Sequence, residues 1–191
     1  KNKNGQTIVL KLKTAPDIAT GILDQCELGP YNLIIVGPSK TWQGKWRAFW
    51  TGGISQRIAM LAPSSVLMAR NKNSNLPSHL IYTNGSAASI KYVCQCAVLA
   101  NHCKYSISLL SIVKSPKKIK EMEKKVTQIS NKLNKLEIEV KSVIIDAGDP
   151  MTAIIRESKK FGIISIPCPK SYQPTIAFSQ DLSLKVMGAA T

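Results

Sequence analysis

Leu33-Ile34-Ile35-Val36-Gly37-Pro38-Ser39-Lys40 runs four apolar residues, three of them β-branched, into a glycine-proline stop. A run this short and this uniformly apolar has strand length, and its lack of alternation predicts a strand buried on both faces of a parallel sheet. A second copy lies near the far end of the chain, as Ile163-Ile164-Ser165-Ile166-Pro167-Cys168-Pro169-Lys170. The surroundings match as well. Thr14-Ala15-Pro16 and Gly148-Asp149-Pro150 each stand before a helix pattern. Ile54-Ser55-Gln56-Arg57-Ile58 aligns with Leu182-Ser183-Leu184-Lys185-Val186, and Ala62 with Ala190. Order and spacing hold over about 50 residues, which reads as an internal repeat.

Outward from that run, Thr7 to Lys13 is rich in β-formers and predicts a strand. Pro16 suits the first turn of a helix and Asp17 its positive end, with Ile18, Ile22 and Leu23 as the apolar stripe and Gly29-Pro30 as the stop. After a long loop from Lys40 to Gly53, a helix is expected from Ile54 to Leu61 and a strand from Ser65 to Ala69. Asn71 to Ser78 is polar and reads as a linker. The next strand is His79 to Thr83, followed by a tight turn, Asn84-Gly85-Ser86, with Ser86 as N-cap of a helix to His102 that carries Ile90, Val93, Ala97 and Ala100 on one side. Tyr105 to Val113 is a strand, and Ser115-Pro116 opens a long helix. There Ile119, Met122, Val126, Ile129, Leu133 and Leu136 are spaced as a heptad stripe too short for a coiled coil, which suits a helix lying on a sheet. Glu139 to Ile145 and Phe161 to Ile166 are strands, with helices after Pro150 and from Asp181 to Ala190. Regular alternation of strand and helix predicts an α/β fold with a parallel, doubly wound sheet. The repeat divides it into residues 1–70, the back half of a first module, a linker at 71–78, and a second module at 79–191 without a clear last strand.

Composition narrows the function classes. The chain of 191 residues is 44% hydrophobic, and no stretch approaches the roughly 18 consecutive apolar residues of a membrane helix. The opening Lys1-Asn2-Lys3-Asn4-Gly5-Gln6 is not a secretory signal, and a start without Met, almost directly in a strand pattern, suggests a piece of a longer polypeptide. The five cysteines show no C-x-x-C and no histidine at ligand spacing, so they read as small buried hydrophobes in a reducing, cytoplasmic setting, with no metal expected. The net charge of +15 invites a nucleic-acid reading. However, the lysines between Lys117 and Lys141 alternate with Glu121, Glu123, Glu137 and Glu139, as on a solvated helix face, and no nucleic-acid motif is present, so nucleic acid is not the favoured partner.

The stretch His79-Leu80-Ile81-Tyr82-Thr83-Asn84-Gly85-Ser86 resembles the opening strand and turn of universal stress proteins, where the turn is usually Asp-Gly-Ser. Gly148-Asp149-Pro150 is similar to the family's helix opening, and Leu33 to Gly37 with Gly52 to Ile58 and Ala62 to Leu67 resembles its closing half. The resemblance covers nearly the whole chain and implies a Rossmann-like tandem of two modules, the first truncated. It also implies a nucleotide site, since ATP-binding members carry Gly-x2-Gly-x9-Gly-Ser/Thr, whose backbone N–H groups hold phosphate. Here Gly37 matches the first glycine, Ser39 lies beside it and Lys40 replaces the second. Gly52 matches the third only across a loop two or three residues too long, and Gly53 stands in the Ser/Thr place with Ser55 close by. In the second module that loop has no glycine at all. Asn84 replaces the Asp that would contact the nucleoside. The expectation is a degenerate site with weak or absent ATP binding.

Trp42, Trp46 and Trp50, the only tryptophans, recur every fourth residue in one loop with Phe49 and Arg47. As a cluster they suit a lid, a membrane-interface contact or a docked partner. His79 and His102 have no nucleophile at motif spacing, and Asp149 near Asp146 is explained by the helix opening, so no catalytic residues are expected. The function implied is a regulatory or assembly domain, paired as a homodimer or within the tandem. A cytoplasmic tail regulating a fused membrane transporter is one form of it, and a stand-alone ATP-binding stress protein another.

Overall fold

The computed structural model describes residues 9–37, 54–69 and 76–167 together with Leu182 and Val186. Among these residues, no helix is long and apolar enough to cross a membrane. The contacts divide the chain into two compact units, Lys1–Asn71 and Lys72–Thr191.

In the first unit, α1 (Ile18–Glu27) and α2 (Ile54–Leu61) accompany β1 (Leu33–Val36) and β2 (Ser65–Met68). The two strands pair in parallel, from Leu33 opposite Ser65 to Val36 opposite Met68. Asp17 is the N-cap of α1. Its carboxylate accepts from the backbone N–H of Thr20 (3.1 Å) and the Thr20 hydroxyl (2.8 Å), and it also receives Arg57 of α2 at 3.1 Å. Those bonds, the Thr20 N–H first, hold its pKa well below the usual range. The proline therefore lies ahead of the cap here, whereas Pro150 follows its cap Asp149, so the two helix openings differ by two positions.

Three expectations in this unit are corrected. The strand placed at 7–13 is not formed over residues 9–13, where no described strand pairs with the backbone. Leu33–Val36 is a strand but is not buried on both faces. Ile34 is buried, while Leu33 and Ile35 are 40% and 64% exposed. The reason is that both helices cover the same side: Ala19, Cys26, Ile34 and Ile58 form one small core with Ile22, Val36, Ala62 and Val66. Accordingly the buried stripe of α1 is Ala19, Ile22 and Cys26, and Ile18 is exposed.

The second unit carries β3 (Ser78–Tyr82), α3 (Ala87–His102), β4 (Ser106–Val113), a short 3-10 turn, α4 (Ile119–Asn134), β5 (Val140–Ala147), α5 (Pro150–Ser158) and β6 (Ile163–Ser165). Its strands form one parallel sheet in the order β5-β4-β3-β6. Alternate side chains of the strands feed two cores. On one face Ile81, Ile107, Leu109 and Val113 meet Val93 and Ala97 of α3 and Met122, Val126, Ile129 and Leu133 of α4. On the other, Leu80, Tyr82, Leu110 and Ile112 meet Ala153 and Ile154 of α5 with Leu182 and Val186, both helical. Helices on both faces of an all-parallel sheet make the unit doubly wound.

The expected elements from β3 to β6 are present, with most ends shifted by a residue or two and α4 beginning at Ile119 after the 3-10 turn. Of the helix expected from Asp181 to Ala190 only Leu182 and Val186 are described. The stripe on α4 packs on the sheet as its shortness implied, except that Leu136 falls beyond the helix and is 51% exposed. Cys103 is exposed rather than buried, because it caps the C-terminus of α3. Leu133→Ala is expected to lower stability by about 2–5 kcal/mol, and Leu136→Ala by under about 0.5 kcal/mol. Denaturant unfolding of the two variants checks the packing.

Candidate functional site

Ligands of open parallel sheets bind beyond the carboxyl ends of the strands, where neighbouring connections leave in opposite directions. In the second unit that point lies between β3, whose chain continues into β4 on one side, and β6 on the other. The turn Asn84-Gly85-Ser86 stands there, between β3 and α3.

Its geometry follows from local chemistry. Gly85 has φ +70°, a left-handed value that glycine adopts without strain. The Asn84 side-chain oxygen accepts from the Ser86 N–H at 3.0 Å, an Asx turn. The Ser86 hydroxyl caps α3 by accepting from the Ser89 N–H at 3.2 Å, the N-cap role expected of it. Beneath the turn, Thr83 is fully buried. Its hydroxyl meets the Ser89 hydroxyl at 2.8 Å and accepts from the Gly85 N–H at 3.2 Å, while its carbonyl accepts from the Ser111 hydroxyl at 2.9 Å. Above it, α4 brings Lys125 and Met122 over the glycine, with Lys125 Cδ 2.9 Å from where a Cβ would stand. The Lys125 ammonium donates to Glu121 at 2.7 Å.

At the end of β5, Asp146 accepts from Arg156 at 2.5 Å and from the Ala147 N–H at 2.7 Å, and the arginine bond leads in lowering its pKa. Asp149 is the N-cap of α5, accepting from the Thr152 N–H and hydroxyl at 2.8 and 2.7 Å. Both carboxylates thus have structural partners, as the helix-opening reading of Asp149 anticipated. Glu157 is buried as a charge, held by Lys160 (2.8 Å) and Arg156 (3.0 Å), and its pKa is lowered by the lysine first.

A polar cluster that the sequence reading did not single out lies at the opposite end of the sheet. His79 of β3 is 3% exposed, and its Nε2 lies 2.6 Å from the Ser165 hydroxyl of β6. Cys96 of α3 bonds to Tyr92 and Ser165, and burial raises its pKa. Burial alone lowers the His79 pKa to about 4, so the ring is neutral near pH 7. Ser165 and His79 are far apart in sequence, and only the parallel pairing of β3 with β6 joins them.

Of the residues expected at a nucleotide site, Asn84 is at the turn just described, Gly37 follows β1 in the first unit, and Ser55 is in α2. Ser39, Lys40, Gly52 and Gly53 lie outside the described residues, as do Trp42, Trp46, Arg47, Phe49 and Trp50. Thr83, Ser111 and Lys125 escaped the sequence reading because their roles depend on β4 and α4 lying beside β3.

Comparison with solved structures now decides the architecture. A universal stress protein from Archaeoglobus fulgidus DSM 4304 superposes with a TM-score of 0.67 at 14% identity, over 89% of this chain and 61% of that one. A protein described as a universal stress protein from Pseudomonas aeruginosa UCBPP-PA14 gives a TM-score of 0.65 at 12% identity, over 92% of this chain and 66% of that one. The fold is that of universal stress proteins. This chain spans less than two thirds of the length of either universal stress structure. No family model matches the sequence, and no curated protein sequence matches it.

The buried histidine sets a pH dependence. An unfolded His79 takes up a proton near pH 6.5, and the folded one only near 4. Between those values the unfolded state binds the extra proton, so its share of stability is present above pH 6.5 and is lost as pH falls to about 4. The loss is about 3 kcal/mol. Urea unfolding at pH 7 and pH 4.5 is expected to show this slope in the native protein, and a smaller one in His79→Gln.

Proposed function

We propose that the chain is a non-catalytic regulatory or assembly domain of the universal-stress type with a degenerate nucleotide site. One observation carries this reading: the turn at Asn84, where the resemblance puts the nucleoside contact, is closed upon itself. A nucleoside held here needs polar groups of the turn free to meet it. The N–H groups of Gly85, Ser86 and Ser89 are already donated to Thr83, Asn84 and Ser86. The Asn84 oxygen is engaged as well, and Lys125 and Met122 pack over Gly85. A nucleoside contact through the Asn84 oxygen competes with the bond that holds this turn.

A tandem origin supports the same reading. Ile58 and Val186, which occupy equivalent places in the repeat, are both buried in the core of their own unit. The solved structures align over a share of this chain larger than either unit alone could supply. The first unit then supplies the closing half of one module, and pairing of modules, within one chain or between two, is the assembly this implies. The basic charge and the Trp42–Trp50 segment support a cytoplasmic role in regulating a fused membrane transporter.

Titration with Mg-ATP, followed by calorimetry and tryptophan fluorescence together, tests the reading. The expected result is no saturable binding at millimolar nucleotide. Saturable binding would replace this reading with that of an ATP-binding stress-response protein. Thr83→Val, which removes the partner of the Ser89 hydroxyl and of the Gly85 N–H, is expected to cost about 1–3 kcal/mol of stability in the same preparation.

A further inference from the structure

The outer face of α4 carries a different feature. Met122, Val126, Ile129 and Leu133 are the buried row of this helix. Directly opposite them at 100° per residue stand Lys120, Lys124 and Lys135, all exposed. They are one turn and three turns apart, so they form a crest about 22 Å long. Lys117 and Lys118 add two more exposed cations in the 3-10 turn at its start. Glu121 and Glu123 stand on the two flanks rather than on the crest, and Glu121 is already bound by Lys125. Among the described residues, no acid forms an ion pair with Lys117, Lys120, Lys124 or Lys135, and Lys118 attracts Glu121 only as a lesser partner behind Lys125.

We propose that this crest is an electrostatic docking surface for an anionic lipid bilayer. Three observations select the occupant. Lys120, Lys124 and Lys135 lie along one side of the helix, and a broad surface can reach all three at once. A groove deep enough to enclose the helix, as in duplex nucleic acid, would press its phosphate walls against Glu121 and Glu123, whereas a plane leaves both flanks in water. Residues 116–135 contain no arginine and no aromatic side chain, the groups that read bases or stack on them. Lysines near an anionic bilayer attract its headgroups without specific geometry, each strengthening binding by about fivefold. The apolar row of α4 is spent on the sheet, so the contact is one of charge, without insertion, and is screened by salt.

The test is sedimentation of the full chain with phosphatidylcholine vesicles, with and without phosphatidylserine, at low and high salt. The expected result is binding only to phosphatidylserine vesicles, reversed by salt. Lys124→Glu is expected to weaken it by more than about tenfold. Lys159→Glu is an equal charge change at the end of α5, on the opposite face of the sheet, and is expected to leave it within about twofold. Thermal melts of both variants establish that each is folded. Absence of binding to anionic vesicles overturns the proposal. Equal losses in the two variants overturn it too, since net charge rather than the crest would then be responsible. So does tighter, Lys124-dependent binding to duplex DNA or RNA at the same salt.

Discussion

Every side chain of β4 from Ile107 to Val113 is buried, and the rest of the second unit is arranged around that fact. A strand with no access to water must satisfy each backbone N–H and C=O from neighbouring strands. β3 and β5 supply those partners in parallel register, and parallel pairing then requires crossover connections. The helices that make the crossovers cover the faces. α3 and α4 close one side, and α5 with Leu182 and Val186 closes the other. Two cores separated by one sheet are the direct result, and the alternating side chains of β3 and β4 decide which residue belongs to which.

The same constraint shapes the polar groups. Thr83 and Ser111 are buried at the carboxyl end of this sheet, where neither hydroxyl can turn to water. Each therefore bonds inward, Ser111 to the Thr83 carbonyl and Thr83 to Ser89 and the Gly85 N–H. The turn that follows β3 is fixed by these bonds rather than by a ligand. At the amino end, His79 and Ser165 satisfy each other across β3 and β6. Glu157 keeps its charge in the interior only because Lys160 and Arg156 reach it from the surface. Buried polar groups here act as fasteners between elements.

The first unit shows what happens when a sheet is covered on one side. Ile34 and Val36 pack under α1 and α2, while Leu33 and Ile35 on the same short strand remain exposed. The continuous apolar run was read correctly as a strand. Its second face could not be read, because a run without alternation carries no information about which side a helix will take. A similar limit affected α1. Pro16 and Asp17 both signal a helix start, but only the bonds from Thr20 and Arg57 to Asp17 make it the cap. All three caps bond within three residues of themselves, Asp17 on α1, Ser86 on α3 and Asp149 on α5, but at α1 the neighbouring Pro16 offered a second starting point.

What the sequence by itself determined is the series of elements in the second unit, their parallel character and the face that α4 turns inward. Those are properties of apolar period, turn chemistry and capping, all set within a few residues. Only the tertiary structure decided that β6 lies beside β3, bringing Ser165 to His79, and that α4 carries Lys125 over Gly85 while raising Lys120, Lys124 and Lys135 as a crest. Strand order and helix placement depend on which apolar faces cover one another, and contacts between residues distant in the chain leave no mark in its local pattern.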